Sequence, residues 1–156
     1  MKAIEYKKGD ATNPLGEENK IFVHICNDIG AWGKGFVMAI SKRWKLPEAK
    51  YREWFKAKEN FNLGEVQFVQ VEQDLWIANL IGQHKINKDE NGNAPIRYDA
   101  IENGLSKVAH FAKEINASVH MPRIGCGLAG GKWEMIEPLI EKTISEKDVD
   151  TTVYDF

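Results

Sequence analysis

Met121 to Trp133 reads MPRIGCGLAGGKW. The stretch joins the end of an apolar run to a G-x-G-x-x-G spacing in Gly125, Gly127 and Gly130, and then to the start of a helical pattern. Three glycines at this spacing occur in many tight strand-to-helix turns, so the pattern alone does not decide between packing and ligand binding. Its context favours binding. A loop that follows a strand and precedes a helix can turn backbone N–H groups toward anionic oxygens above a sheet edge. Only one strand pattern follows the loop, which does not supply the second half of a dinucleotide fold, so hydride transfer to a nicotinamide is not expected.

Outward from this loop, strand and helix patterns alternate. "KAIEY" reads as a short first strand, broken by the polar, Gly- and Pro-containing "KKGDATNPLGEENK". "IFVHIC", Ile21 to Cys26, is a continuous apolar and β-branched run, the pattern of a central strand buried on both faces. "FVMAISKRW" and "PEAKYREWFKAK" read as helices, with Pro47 in a first turn where its missing N–H is tolerated. "EVQFVQVEQDLWIANLIGQ" alternates, turns near "EQD" and resumes, as an antiparallel hairpin does. "IRYDAIENGLSKVAHFAKEI" places Ile101, Leu105, Val108, Ala109 and Ala112 on one helical face. "SVHMP" is a further buried strand. "EMIEPLIEKTISEK" reads as helix with a break or restart at Pro138, which would set the helix terminus back from the glycines, and "TTVYDF" as a last strand. The expected architecture is a three-layer α/β/α sandwich on a mixed central sheet, a single domain over residues 1–156.

Composition narrows the function classes. The formal net charge is −2, so no global basic field draws the chain onto nucleic acid regardless of sequence. The two cysteines, Cys26 and Cys126, stand in no metal-binding spacing, and no metal or cofactor is expected. The first ten residues, "MKAIEYKKGD", carry no apolar core of a signal peptide. No segment approaches the ~20 apolar residues of a membrane span, and a soluble cytoplasmic protein is expected.

A second glycine loop, "CNDIGAWGKGF", follows the central strand at Cys26 to Phe36. Gly33 and Gly35 bracket Lys34, but Gly35 stands where a Walker A motif needs Ser or Thr, so an NTPase is not expected. Two glycine loops after buried strands can face each other across the carboxyl edge of one sheet, where α/β folds bind ligands. Together they would clamp a diphosphate.

With "YKKGDAT" and the terminal "TVYDF", these loops resemble the macrodomain family over nearly the whole chain. The nearest branch holds yeast ADP-ribose 1″-phosphate phosphatase, human terminal ADP-ribose glycohydrolase and bacterial relatives. The resemblance implies that the chain binds ADP-ribose or an ADP-ribosylated substrate, with Asp10 accepting from the adenine amino group beside the backbone of Ala11. Asn27 then meets the distal ribose. Gly33, Lys34, Gly35, Phe36 and Val37 match the first diphosphate loop, and Arg123, Ile124, Gly125, Cys126, Gly127, Leu128 and Ala129 match the second. Tyr154, Asp155 and Phe156 match the segment along the adenosine, where an aromatic face would stack for ~1–3 kcal/mol. Trp32, Trp76 and Trp133 read equally well as core.

Catalysis is less plainly marked. At the positions where branch members carry a lysine after the fourth strand and an aspartate after "GCGL", this chain has Gln83 and Ala129. An amide nitrogen has no usable lone pair for attack on a ribose, so the lysine mechanism transfers only if Lys85, two residues on, takes the place of that lysine. The remaining candidates are His24, Asn27, Gln83 and His84, with Asp28 able to help orient a water. A hydrolase acting on a 1″-phosphate, an O-acyl ester or an ADP-ribosyl adduct is the expected function, with a non-catalytic ADP-ribose reader as the alternative.

Overall fold

The computed structural model describes residues 2–14 and 16–155. In chain order the elements are β1 (Glu5–Lys8), β2 (Asn19–Asn27), α1 (Val37–Arg43), α2 (Leu46–Ala57), β3 (Val66–Glu72), β4 (Leu75–Gln83), α3 (Tyr98–Ile115), β5 (Ala117–Met121), α4 (Trp133–Thr143), a short 3₁₀ turn at Ser145–Lys147, and β6 (Thr151–Asp155). The six strands form one sheet in the order β1-β6-β5-β2-β4-β3. All neighbours pair in parallel except β3 and β4, so the sheet is mixed.

Strand β2 pairs with β5 on one side and β4 on the other. Alternation sends Ile21 and Val23 into the core beneath α3 and α4, and Phe22 and Cys26 into the core beneath α1 and α2. Both sets are fully or nearly fully buried, which is why the strand carries no polar stripe. The expected face of α3 is the observed one: Ile101, Leu105, Val108, Ala109 and Ala112 all pack into the first core. Pro47 sits in the first turn of α2, as its missing N–H requires. No helix is long and apolar enough to cross a membrane among the described residues.

One expectation is overturned. Pro138 neither breaks nor restarts α4, which runs without interruption from Trp133 with the proline inside it. Pro138 lies only one turn past the start, so the single intrahelical bond it forgoes is the one to Glu134. Burial of Ile136 and Ile140 on either side holds the helix in place.

The approach of α3 to the sheet depends on Gly104, where a Cβ would stand 2.4 Å from Leu80 Cγ. Gly104→Ala is expected to cost about 1–3 kcal/mol through overpacking, read as a lower urea midpoint at unchanged slope.

Candidate ligand-binding cleft

Because β2, β5 and β6 are parallel, the loops that leave β2 and β5 emerge at the same edge as the end of β6. Between the loop after β2 and the loop after β5 lies a cleft of about 520 Å³. One wall is Lys34, Gly35, Phe36 and Val37; the other is Arg123, Ile124, Gly125, Gly127, Leu128 and Ala129. Tyr154 and Asp155 line the β6 end, and His24 and Gln83 complete the lining from β2 and β4. Ile25 and Pro122 line it as well, and neither was expected from sequence, because their side chains carry no chemistry to signal a site. Gly33, Asp10, Ala11, Asn27, His84 and Cys126 are placed outside the lining, and Phe156 lies outside the described residues.

The glycines divide by what surrounds them. At Gly125, with φ +72°, a Cβ would stand 2.5 Å from Ile96 Cδ1, and at Gly130, with φ +78°, it would stand 2.9 Å from Ala94 Cβ. These two shape the turn. A Cβ at Gly127 would meet nothing within 4 Å, and the same holds at Gly33 on the facing loop. Gly127 is therefore open to the cleft, while Gly33 faces open space beyond the lining. Within the second loop the bonds Gly130 N–H to Gly127 O (3.0 Å) and Gly131 N–H to Gly125 O (2.7 Å) close the turn. Among the described residues no backbone bond takes the N–H of Gly127, Leu128 or Ala129, so three donors in sequence remain for an anion.

Charge is arranged around these donors. Arg123 is held by Asp155 through two bonds, from Nε (2.7 Å) and one terminal nitrogen (3.1 Å), and its guanidinium stacks 5.2 Å from the rings of both Tyr6 and Trp133. The bonds from Arg123 hold the Asp155 carboxyl below its usual range. Trp133 thus braces the cleft wall, while Trp32 donates to Ser41 Oγ in the core. Asp10 accepts from both the N–H (2.9 Å) and the hydroxyl (2.6 Å) of Thr12 on one oxygen. The Thr12 hydroxyl is the main reason its carboxyl stays below the usual range.

The sequence reading puts Asn27 at the distal ribose, but the structure turns its side chain into its own loop. Its Nδ2 donates to Ala31 O (2.8 Å), while its Oδ1 accepts from the N–H of Ile29 (3.0 Å) and of Ala31 (3.1 Å). The Tyr51 hydroxyl donates to Asn27 O at 2.6 Å. Asn27 therefore shapes the first glycine loop. Tyr51, 24 residues away on α2, carried no sequence signal for this role. Gln83 donates to Lys85 O (2.8 Å), which makes its amide a turn brace as well. Burial raises the pKa of Cys126, so it is a protonated thiol.

Two buried histidines stand under the cleft. His24 Nε2 donates to Asn79 Oδ1 at 2.5 Å, since the Asn79 amide nitrogen is already donating to Pro47 O and Gln67 Oε1. His120 lies in a chain of bonds: the Tyr154 hydroxyl to Nδ1 (2.7 Å), Nε2–H to Ser118 Oγ (2.7 Å), and the Ser118 hydroxyl to Glu18 Oε1 (2.9 Å). The carboxylate draws the Ser118 proton away from the imidazole, so this Ser–His pair is a brace for Tyr154 and no nucleophile.

No family model matches the chain. Among solved structures, a protein of unknown function from Bacteroides thetaiotaomicron is 58 % identical, with TM-score 0.97 over 99 % of this chain and 98 % of that one. A macrodomain protein from Streptomyces coelicolor is 49 % identical, with TM-score 0.88 over 99 % of each chain. The chain belongs to the macrodomain family. Two curated relatives are longer than this macrodomain. Chromodomain-helicase-DNA-binding protein 1-like of Mus musculus is 33 % identical over 99 % of this chain and 18 % of that protein. DNA ADP-ribosyl glycohydrolase of Mycobacterium tuberculosis is 28 % identical over 97 % of this chain and 42 % of that protein.

Burial pushes the pKa of both His24 and His120 down to about 4. Unfolded histidine titrates near 6.5, so between pH 6.5 and 4 the unfolded macrodomain binds more protons and stability falls as pH falls. From pH 7 to 5 the expected loss is about 2 kcal/mol per histidine, measured by urea denaturation. His120→Gln should remove about half of that dependence.

Proposed function

We propose that the cleft binds ADP-ribose and that the protein hydrolyses an ADP-ribose derivative, whether a 1″-phosphate, an O-acyl ester or an ADP-ribosyl adduct on a macromolecule. The observation that carries the reading is the pair of opposed glycine loops, with Gly127 open to the cleft and unspent N–H donors on its wall. That arrangement suits a diphosphate, which offers several anionic oxygens to backbone donors and needs close backbone approach. Lys34 adds a positive charge on the opposite wall. The half-occupied carboxylate of Asp10 suits an amino donor such as that of adenine. The similarity to a DNA ADP-ribosyl glycohydrolase supports hydrolysis. Both cysteines are free, which fits a reducing compartment such as the cytoplasm, and an ADP-ribose substrate would give the protein a place in nucleotide metabolism.

A non-catalytic ADP-ribose reader is the second reading. It is favoured by Gln83, whose amide only braces a turn, and by the apolar Ala129 at the position where the branch carries a carboxylate.

Calorimetric titration with ADP-ribose tests the binding. Gly127→Val, whose Cβ would meet nothing within 4 Å, is expected to abolish binding with little change in thermal unfolding. Undiminished affinity would remove the second loop from the site. Asp10→Ala is expected to weaken binding and to relax the preference for adenine over other bases, and an unchanged preference would remove its assigned role. Incubation with the three substrate classes, products read by mass, separates hydrolase from reader.

A further inference from the structure

Asn27 and Gln83 are register partners at the ends of β2 and β4, so the residues that follow them, Asp28 and His84, emerge side by side. Their side chains meet. The Nδ1–H of His84 donates to Asp28 Oδ2 at 2.6 Å, and the Lys85 N–H donates to Asp28 Oδ1 at 2.7 Å. Both carboxylate oxygens are thereby fixed. The Asp28 side chain is only 17 % exposed, while that of His84 is 43 % exposed. A carboxylate can only accept, so a neutral imidazole held this way carries its proton on Nδ1 and leaves Nε2 bare.

The turn that carries the imidazole is fixed independently. The His84 N–H donates to Pro95 O (2.8 Å), the Gln83 amide donates to Lys85 O (2.8 Å), and Lys85 takes a left-handed φ of 60°. A lysine in that conformation costs backbone energy, and strain of this kind collects where a side chain must be aimed. An exposed ion pair contributes little to stability and needs no such fixing. A base oriented by a carboxylate does need it. Gln83 lines the cleft, and the pair leaves the sheet one residue beyond Asn27 and Gln83, outside the lining itself.

We infer that His84 and Asp28 are an acid–base pair for hydrolysis of an ester carried at the ribose end of the bound ligand, His84 acting on the water and Asp28 positioning His84. The inference rests on the ADP-ribose reading given above. Ester chemistry is chosen because the groups for other routes are already engaged. Glycosidic cleavage by paired carboxylates needs two of them free, and Asp155 is held by Arg123 while Asp28 is held by His84 and Lys85. The amine that lines the cleft, Lys34, stands on the wall assigned to the diphosphate. In the proposed step, Nε2 takes a proton from a water as its oxygen bonds to the ester carbonyl carbon. Collapse of the tetrahedral adduct breaks the bond to the ribose oxygen, and the imidazolium returns the proton to that oxygen. The products are ADP-ribose and a carboxylic acid.

The test compares wild type, His84→Gln and Asp28→Asn on O-acetyl-ADP-ribose, with ADP-ribose 1″-phosphate as the non-ester control and ADP-ribose affinity measured by calorimetry in the same samples. Wild type is expected to hydrolyse the acetyl ester, and His84→Gln to lower kcat by about 10²–10⁴-fold at unchanged affinity. Asp28→Asn keeps an acceptor for the Lys85 N–H but presents N–H to Nδ1, so kcat should fall by a similar factor. Nitrogen-15 spectra should show His84 protonated at Nδ1 in wild type and at Nε2 in Asp28→Asn, a change that a merely structural pair would not link to rate. Ester hydrolysis by His84→Gln at the wild-type rate overturns the assignment and leaves the ADP-ribose reading standing. Binding of ADP-ribose by wild type without ester hydrolysis, or hydrolysis of the 1″-phosphate alone, also overturns it. Failure to bind ADP-ribose overturns the reading beneath it.

Discussion

Everything about the cleft follows from burying β2 on both faces. Strand β2, with helices above and below, is flanked by two parallel neighbours, each reached by a crossover through a helix. The loops after β2 and β5 are therefore delivered to one side of the sheet beside the end of β6, anchored to the cores by Trp32, Ile124 and Ala129. What they present to each other is backbone. The site is made of N–H groups and open glycines because the packing of apolar side chains has been completed one layer below.

The two cores beneath the site are of different character. Under α3 and α4 the contacts are almost wholly apolar, and helix and sheet approach as closely as Gly104 allows. Under the other face run polar chains: Gln67 to Asn79 to His24, and Tyr154 to His120 to Ser118 to Glu18. A buried polar network fixes side-chain orientation more strictly than apolar packing does, at the expense of stability if any member is lost. His24 and Tyr154 both line the cleft, so orientation is specified where a ligand would read it.

Local patterns were legible in the sequence and long-range bonds were not. The apolar run of β2, the face of α3 and the hairpin of β3 and β4 follow from periodicity, which depends only on neighbours along the chain. The loops were recognised by resemblance, yet the resemblance could not separate Gly127 from Gly125 and Gly130, since that distinction depends on Ile96 and Ala94 reaching the turn from another loop. The contact of Asn27 with Tyr51, 24 residues away, was not legible for the same reason. Pro138 was misread because a proline one turn into a helix forgoes only one intrahelical bond. Asp28 and His84 lie 56 residues apart and are joined only through strand register.

Leu128 is 64 % exposed, yet its Cδ1 lies 3.2 Å from where a Cβ on Gly35 would stand, so this side chain reaches from the second loop to the first. The cleft is thus spanned by an arch. A ligand seated beneath it enters and leaves by displacing the same side chain, and a barrier common to both directions alters the two rates by the same factor. Leu128 therefore bears on how long a ligand stays and how soon it arrives, while the equilibrium between bound and free is left to the donors below.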